Sequence, residues 1–87
     1  MNNMIKLLNQ GTVNKNIVEL GGLRLFFSYE TIIAFQDRKG LQCSVNQWST
    51  TTGKFINEIE PVKEARLKPE VFEMYLAETL KAHNLAE

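Results

Sequence analysis

The sequence predicts one small α+β domain over residues 1–87, in which an antiparallel sheet of about four strands carries an amphipathic C-terminal helix on one face. Three observations predict this architecture. A length of 87 residues supports a single hydrophobic core. Apolar and polar residues alternate between glycine turns up to about residue 45, which is typical of hairpins. From Pro69 onward, the apolar residues recur with the period of a helix.

Two hairpins account for the predicted strands. Gly21 and Gly22 separate the first pair of strands, and two adjacent glycines are typical of a two-residue hairpin turn. Gly40 ends the turn between the second pair, where a residue that tolerates a positive φ angle is favoured. The four strands are predicted at residues 17–20, 23–27, 31–36 and 41–45.

The segments that flank the two hairpins are predicted to be helical. Asn3 and Gly11 delimit an apolar stretch, which predicts a short helical turn at the N-terminus. Residues 51–59 favour a short middle helix, because a run of hydroxyl residues suited to capping precedes their apolar side chains. Since Gly53 lies inside that segment and glycine disfavours helix, a fifth strand over residues 54–59 stays open.

The C-terminal helix has the most regular pattern in the chain. Pro69 suits the first helical position, because its missing N–H would have no partner there. The helix is predicted at residues 69–83, with one apolar stripe that packs on the sheet and supplies a large part of the core. The stripe consists of Phe72, Tyr75, Leu76, Thr79, Leu80 and His83.

Reactive side chains are too few for most catalytic or metal sites. Cys43 is the only cysteine and His83 the only histidine, so a multi-thiolate zinc site and an internal disulfide are excluded. Cys43 is expected to be a small buried residue of a strand, and His83 to lie at the rim of the helix stripe. We therefore expect no cofactor, no bound metal and no enzymatic activity. A single cysteine, with no leader and no apolar run of membrane-spanning length, predicts a cytoplasmic protein.

Equal numbers of acidic and basic residues hide an uneven distribution. Residues 1–57 carry a net charge of +3 and residues 58–87 a net charge of −3. A solvated helix rich in glutamate explains this asymmetry most simply. The alternative is a dipolar domain whose two faces meet different partners.

Two sets of residues are candidates for contact with a partner. On the C-terminal helix, a methionine and a leucine lie outside the stripe among glutamates that would be attracted to a basic protein surface. This set consists of Glu70, Glu73, Met74, Glu78 and Leu85. Elsewhere, cations, hydroxyl groups at a helix start and an aromatic ring are suited to contact nucleic acid or another anion. That set consists of Arg38, Lys39, Trp48, Thr51, Thr52 and Lys54.

Two segments carry a resemblance to a known group of proteins. They are residues 27–35 (FSYETIIAF) and residues 48–57 (WSTTTGKFIN). Together they resemble the pattern S-Y-x-T-x-x-A-[FY] followed by [WY]-S-x-T-T-x-[KR]-H-x-N, found in a small uncharacterised family encoded on phages, prophages and plasmids. The resemblance spans about residues 27–59, and Phe55 stands where the pattern has histidine. It implies no activity or cofactor, but it does imply a mobile genetic element. Small neutral or acidic proteins of such elements often bind and block a host protein, such as a CRISPR nuclease.

Two functions follow as hypotheses. The first is a non-enzymatic phage or mobile-element protein that binds and inhibits a host protein, most specifically an anti-CRISPR-like inhibitor in the bacterial cytoplasm. The alternative is a small nucleic-acid-binding accessory protein that uses the basic sheet and residues 51–54. A sequence pI near 6.6 lacks the basic footprint of most nucleic-acid-binding proteins, which favours the first. A homodimer is compatible with both, and no membrane partner is expected.

Overall fold

The computed structural model describes residues 5–12 and 15–85 of the chain. Over these residues the chain forms one antiparallel sheet of five strands in the order β1-β2-β3-β4-β5. The strands are β1 (Ile5–Thr12), β2 (Lys15–Leu20), β3 (Leu23–Ser28), β4 (Thr31–Asp37) and β5 (Gly40–Cys43). The helices of the same part of the chain are α1 (Thr50–Ile59), α2 (Pro69–Ala82) and a 3-10 turn (Lys63–Ala65). The predicted α+β class is confirmed, with β2 to β5 at the four predicted positions.

Strand β1 lies where the sequence predicted a helical turn, and that prediction is wrong. β1 pairs with β2, starting from Ile5 opposite Leu20. A helix this short is marginal in water, whereas an extended segment gains backbone hydrogen bonds along the edge of β2. The register shifts after Asn9, and Gly11, predicted to end the helix, lies in this irregular stretch. The predicted cap, Asn3, lies outside the described residues.

A helix covers each face of the sheet. The cluster under α1 consists of Ile17, Phe26, Ile33, Ala34, Cys43, Phe55 and Ile56. The cluster under α2 consists of Leu23, Leu25, Phe35 and Phe72. The prediction that the C-terminal helix packs on one face is therefore confirmed, and the middle helix covers the opposite face.

A β-bulge in β4 turns two successive residues toward α1. Phe26 pairs with Ala34 but Phe27 pairs with Ile32, so Ile33 is an extra residue in β4. Ile33 and Ala34 consequently both belong to the cluster under α1, where both are fully buried. Strict alternation along the strand would have placed one of them on each face.

Residues 51–59 form the predicted helix rather than the alternative strand. The Ser49 hydroxyl accepts a hydrogen bond of 3.2 Å from the backbone N–H of Thr52, as expected of an N-cap. Phe55 and Ile56, the apolar residues that predicted the helix, are its buried side chains along with Thr52. Capping and burial of this face outweigh the unfavourable helix propensity of Gly53.

Helix α2 begins at Pro69, as predicted, and ends in a Schellman motif. The N–H of Asn84 donates to the carbonyl of Lys81 at 3.0 Å, and the N–H of Leu85 donates to the carbonyl of Leu80 at 2.8 Å. Asn84 has a φ angle of +62°. Asparagine is the residue that most often replaces glycine in this left-handed position.

The apolar stripe of α2 reaches less deeply into the core than the sequence predicted. Phe72 is fully buried, and its ring centroid lies 5.6 Å from that of Phe35. Leu76 and Leu80 are only half-buried, and Tyr75 is exposed, so the prediction that Tyr75 belongs to the core is wrong. Successive helical residues are about 100° apart, which puts Tyr75 and Leu80 on opposite margins of the stripe. The sheet covers the margin of Leu80.

Candidate functional site

The two segments of the sequence pattern, residues 27–35 and 48–57, meet at one end of the sheet. Ser28 ends β3 and Thr52 lies in the first turn of α1. Their hydroxyl groups form a hydrogen bond of 2.7 Å, and both residues are buried. A buried hydroxyl without a partner is costly, so this bond ties the start of α1 to the end of β3.

Tyr29 occupies a strained position in the turn between β3 and β4. This turn has two residues, Tyr29 and Glu30, between the paired residues Ser28 and Thr31. The φ angle of Tyr29 is +56°, which glycine adopts at little cost and bulky residues rarely adopt. Tyr29 is also 55% exposed, so burial in the core does not explain a tyrosine at this position. Backbone strain of this kind is concentrated at functional sites.

Trp48 is held just before α1 by the side chain of Asn46. The Asn46 Oδ1 accepts from the N–H of Trp48 at 3.0 Å, and its Nδ2 donates to the carbonyl of Ser49 at 3.1 Å. A Cβ atom at Gly53 would lie 2.8 Å from the same Nδ2. The glycine that argued against a helix in the sequence therefore makes room for Asn46, while Trp48 itself is 39% exposed.

A cavity of about 150 Å³ lies between Tyr29 and Trp48. The other residues that line it are Ser28, Thr31, Ile33, Ser49 and Thr52. None of these seven described residues is charged, and the hydroxyls of Ser28 and Thr52 are bonded to each other. Tyr29, Trp48 and this cavity are called the Tyr29–Trp48 surface below.

The six residues predicted to contact nucleic acid are not brought together. Arg38 and Lys39 form the β4–β5 turn, whereas Trp48 lies by the opposite end of β4. A strand of seven residues such as β4 spans about 20 Å. Thr52 is buried with its hydroxyl bonded inside the protein. The remaining two residues, Thr51 and Lys54, are exposed on α1.

Two further cations of the β-sheet half are already paired with carboxylates. The guanidinium of Arg24 donates to the carboxylate of Glu19 on the neighbouring strand. The ammonium of Lys15 donates to Glu58 at the end of α1. The positive charge that the sequence assigns to this half is therefore only partly available to a polyanion.

A cleft of about 480 Å³ lies between the ends of the two hairpins and the C-terminal end of α2. Its titratable lining residues are Asp37, Arg38, Lys39, Glu78 and His83. His83 lies near the rim, as predicted, with its Nε2 3.7 Å from the Asp37 Oδ2. The cleft thus combines charges of both signs, and it places Glu78 of one predicted set beside Lys39 of the other.

The outward face of α2 carries four of the five residues predicted to bind a protein. Met74 is 50% exposed, with Glu70 and Glu78 one turn before and after it and Glu73 beside it. The ion pairs found among the described residues involve none of these glutamates. Leu85 lies beyond the end of α2, after the left-handed Asn84, and does not join this face. The result is an acidic face with one central apolar side chain.

Cys43 is buried, as predicted, and its thiol donates to the carbonyl of Ser44 at 3.7 Å. Burial raises the pKa of the Cys43 thiol from 9.0 to about 11, which disfavours the nucleophilic thiolate. Within the described ranges, no group of three or more His, Cys, Asp or Glu side chains is placed to hold a metal ion. The helices of those ranges include none that is long and apolar enough to cross a bilayer.

From the sequence, Tyr29 is considered only, with Phe35, as a further ring that could stack on bases, and Asn46 is not predicted to belong to a site. A signal for Tyr29 is present, because a two-residue loop between paired strands requires a positive φ angle and the segment SYET offers no glycine. A signal for Asn46 is also present, since asparagine side chains commonly bond to the backbone two residues ahead. Neither signal indicates that the two residues act on one surface.

The chain belongs to a family of unknown function (DUF8033), whose model matches residues 2–72. No curated protein and no solved structure matches the chain. The matched range contains the entire Tyr29–Trp48 surface, whereas it ends before Met74, Glu78 and Leu85.

Proposed function

We propose that this protein is a non-enzymatic binding protein whose partner is another protein, which docks on the Tyr29–Trp48 surface. The observation that carries the proposal is the pair of exposed aromatic residues, 55% and 39% exposed, around an uncharged cavity. Tyrosine and tryptophan dominate the binding energy of protein interfaces, because their rings bury much apolar area and still carry a hydrogen-bond donor. The strained backbone of Tyr29 gives a second reason, since a glycine there would serve the fold better.

A protein partner is favoured over nucleic acid by the charges around this surface. Affinity for nucleic acid comes largely from cations that contact phosphates. The described residues lining the cavity include no cation, and the turn next to it carries Glu30. Arg38 and Lys39, the nearest pair of adjacent cations in sequence, lie at the other end of β4.

The finer part of the proposal is that the partner is a host protein and that binding inhibits it. The acidic outward face of α2 would guide the molecule toward a basic surface, such as the nucleic-acid-binding channel of a defence nuclease. This part relies on the resemblance to mobile-element proteins and on the free glutamates beside Met74.

Affinity capture with the immobilised protein tests this proposal. Lysate of cells that carry the gene, with and without nuclease treatment, is passed over the wild type and over the variants Trp48→Ala and Met74→Ala. Val62→Ala is the matched control, because Val62 is 52% exposed and belongs to neither surface. We expect a nuclease-resistant protein on the wild type and on Val62→Ala, and at least about a tenfold loss on Trp48→Ala.

Three outcomes contradict the proposal. Retained material that disappears with nuclease would indicate nucleic acid as the partner. Loss on Met74→Ala with full retention on Trp48→Ala would move the interface to α2. Equal retention on every variant would mean that neither surface is used.

A further inference from the structure

We infer that the Tyr29–Trp48 surface binds an extended, proline-containing segment of its partner, with one apolar ring or side chain seated in the cavity. This inference rests on the proposed function and goes beyond it by naming the kind of segment that is recognised. It follows from the size of the cavity, from its hydrogen-bonding groups and from the constrained backbone of its two walls.

The size of the cavity favours one anchoring side chain. Pockets for whole small molecules usually measure about 300–1,000 Å³. A cavity of about 150 Å³ is large enough for one ring, as the binding of benzene to cavities of that size shows. The occupant is therefore a chain that inserts a single group here and makes its other contacts on the exposed faces of Tyr29 and Trp48.

The hydrogen-bonding groups of the two exposed rings favour an occupant that offers carbonyl acceptors. Within the described part of the chain, neither the Tyr29 hydroxyl nor the Trp48 indole N–H has a hydrogen-bond partner. The indole N–H only donates and the tyrosine hydroxyl can donate as well as accept, whereas the hydroxyls of Ser28 and Thr52 bond to each other. Proline has no backbone N–H, so a proline-containing segment presents carbonyl acceptors without an accompanying donor.

The backbone on both sides of the cavity is constrained before binding. Tyr29 lies in a two-residue turn, and the two hydrogen bonds of Asn46 hold the backbone at Trp48 and Ser49. A small contact area gives useful affinity only when little conformational entropy is lost by both partners. A polyproline II segment is already extended and stiff, which is why aromatic grooves recognise it in other binding modules.

The uncharged lining supports the same occupant. Acidic peptides and oligonucleotides would find no cation in the cavity. Glu30 in the adjoining turn would repel a phosphate group and leave a neutral peptide unaffected.

The experiment is a titration of the nitrogen-15-labelled protein followed by NMR, which exploits Trp48 as the only tryptophan. The probes are acetylated decaproline, a Gly-Ser decapeptide and a thymidine decanucleotide. We expect the single indole N–H signal and the backbone signals of Tyr29 and Ser49 to shift with decaproline only. Trp48→Ala should abolish the shifts of Tyr29 and Ser49, whereas Val62→Ala should leave them unchanged.

A second variant separates binding from folding. Tyr29→Gly removes the ring and relieves the positive φ angle, so its melting temperature should equal or exceed that of the wild type while decaproline binds at least about tenfold more weakly. Unchanged decaproline binding in Tyr29→Gly would overturn the inference. Shifts caused by the oligonucleotide or by the Gly-Ser peptide alone would also overturn it, and so would the absence of any shift with decaproline. If decaproline has no effect but capture of a protein still depends on Trp48, this inference fails and the proposed function stands. If capture does not depend on Trp48 either, both fail.

Discussion

At the scale of single residues, the buried hydroxyl pair of Ser28 and Thr52 is the contact that joins the two halves of the Tyr29–Trp48 surface. Each side chain satisfies the other inside the protein, 2.7 Å apart. Removal of one hydroxyl leaves the other without this partner and costs about 1–3 kcal/mol, whereas removal of both costs less than the sum.

The expected result is a favourable coupling energy between these positions. Thr52→Val and Ser28→Ala are each predicted to lower the free energy of unfolding, and the double variant to recover part of the loss. Urea denaturation of the four proteins measures the coupling. Strictly additive effects of the two substitutions would show that the hydroxyl pair contributes nothing to stability.

Cys43 gives a prediction about alkaline pH. The pKa of its thiol is raised from 9.0 to about 11 by burial, so the folded state holds the proton more tightly than the unfolded state. The stabilisation is complete below pH 9 and is lost as the pH rises through about 11. One pKa unit corresponds to about 1.4 kcal/mol, so the total loss is about 3 kcal/mol.

Comparison with Cys43→Ala isolates this effect from the titration of tyrosines and lysines. The stability of the wild type, measured by denaturation at several values between pH 8 and pH 11, should fall more steeply than that of the variant. Parallel curves for the two proteins would mean that the thiol titrates normally in the fold.

At the scale of elements, Gly53 and Asn46 determine how α1 begins. Glycine in a helix interior usually costs about 1 kcal/mol relative to alanine. A Cβ atom built on Gly53 would lie only 2.8 Å from the Asn46 Nδ2. It would therefore displace the Asn46 amide, whose oxygen accepts from the N–H of Trp48. Gly53→Ala should therefore raise the free energy of unfolding little or not at all in the wild type. When Asn46→Ala is already present, it should raise the free energy of unfolding by about 1 kcal/mol. A gain of the same size in both backgrounds would contradict this explanation, and Trp48 fluorescence provides a second measure of the displacement.

The two helices differ in how much they contribute to the core. Ile56 of α1 and Phe72 of α2 are fully buried, while Tyr75 is exposed. Ile56→Ala should lower the free energy of unfolding by about 2–5 kcal/mol, and Phe72→Ala by about 3–5 kcal/mol. Tyr75→Ala should lower it by about 0.5 kcal/mol or less. Leu76→Ala should have an effect between those of Tyr75→Ala and the two buried positions. Thermal denaturation ranks the four variants. A loss of stability in Tyr75→Ala equal to that in Phe72→Ala would show that Tyr75 belongs to the core after all.

The elements also show which features a sequence can reveal. Gly21-Gly22 and Pro69 were sufficient to place a hairpin and a helix start, because turn chemistry and first-turn chemistry are local. Strand β1 could not be recognised from its own apolar residues, since its conformation depends on the free edge of β2. The position of Tyr75 around the helix is the same whether the sheet covers the whole apolar stripe or only part of it. Periodicity alone could therefore not predict how much of Tyr75 is buried.

At the scale of the whole molecule, the sheet separates two groups of candidate binding residues whose relative positions could not be predicted from the sequence. Arg38 and Lys39 lie at one end of β4, and Tyr29 and Trp48 lie at the other. Tyr29 and Trp48 converge because a two-residue turn and a helix start meet at the same end of the sheet, which depends on strand lengths and on the bulge at Ile33. Charge counts and motif spacing do not contain that information.

The measurement that tests the central claim most directly is photo-crosslinking inside the cells that carry the gene. A photoreactive benzoylphenylalanine replaces Trp48, Met74 or Val62 in otherwise unchanged protein, and the irradiated products are treated with nuclease and identified by mass spectrometry. The proposed function predicts an adduct at position 48 that resists nuclease and contains peptides of a second protein, with none at position 62. An adduct at 48 that nuclease removes, or protein adducts only at 74, would contradict it.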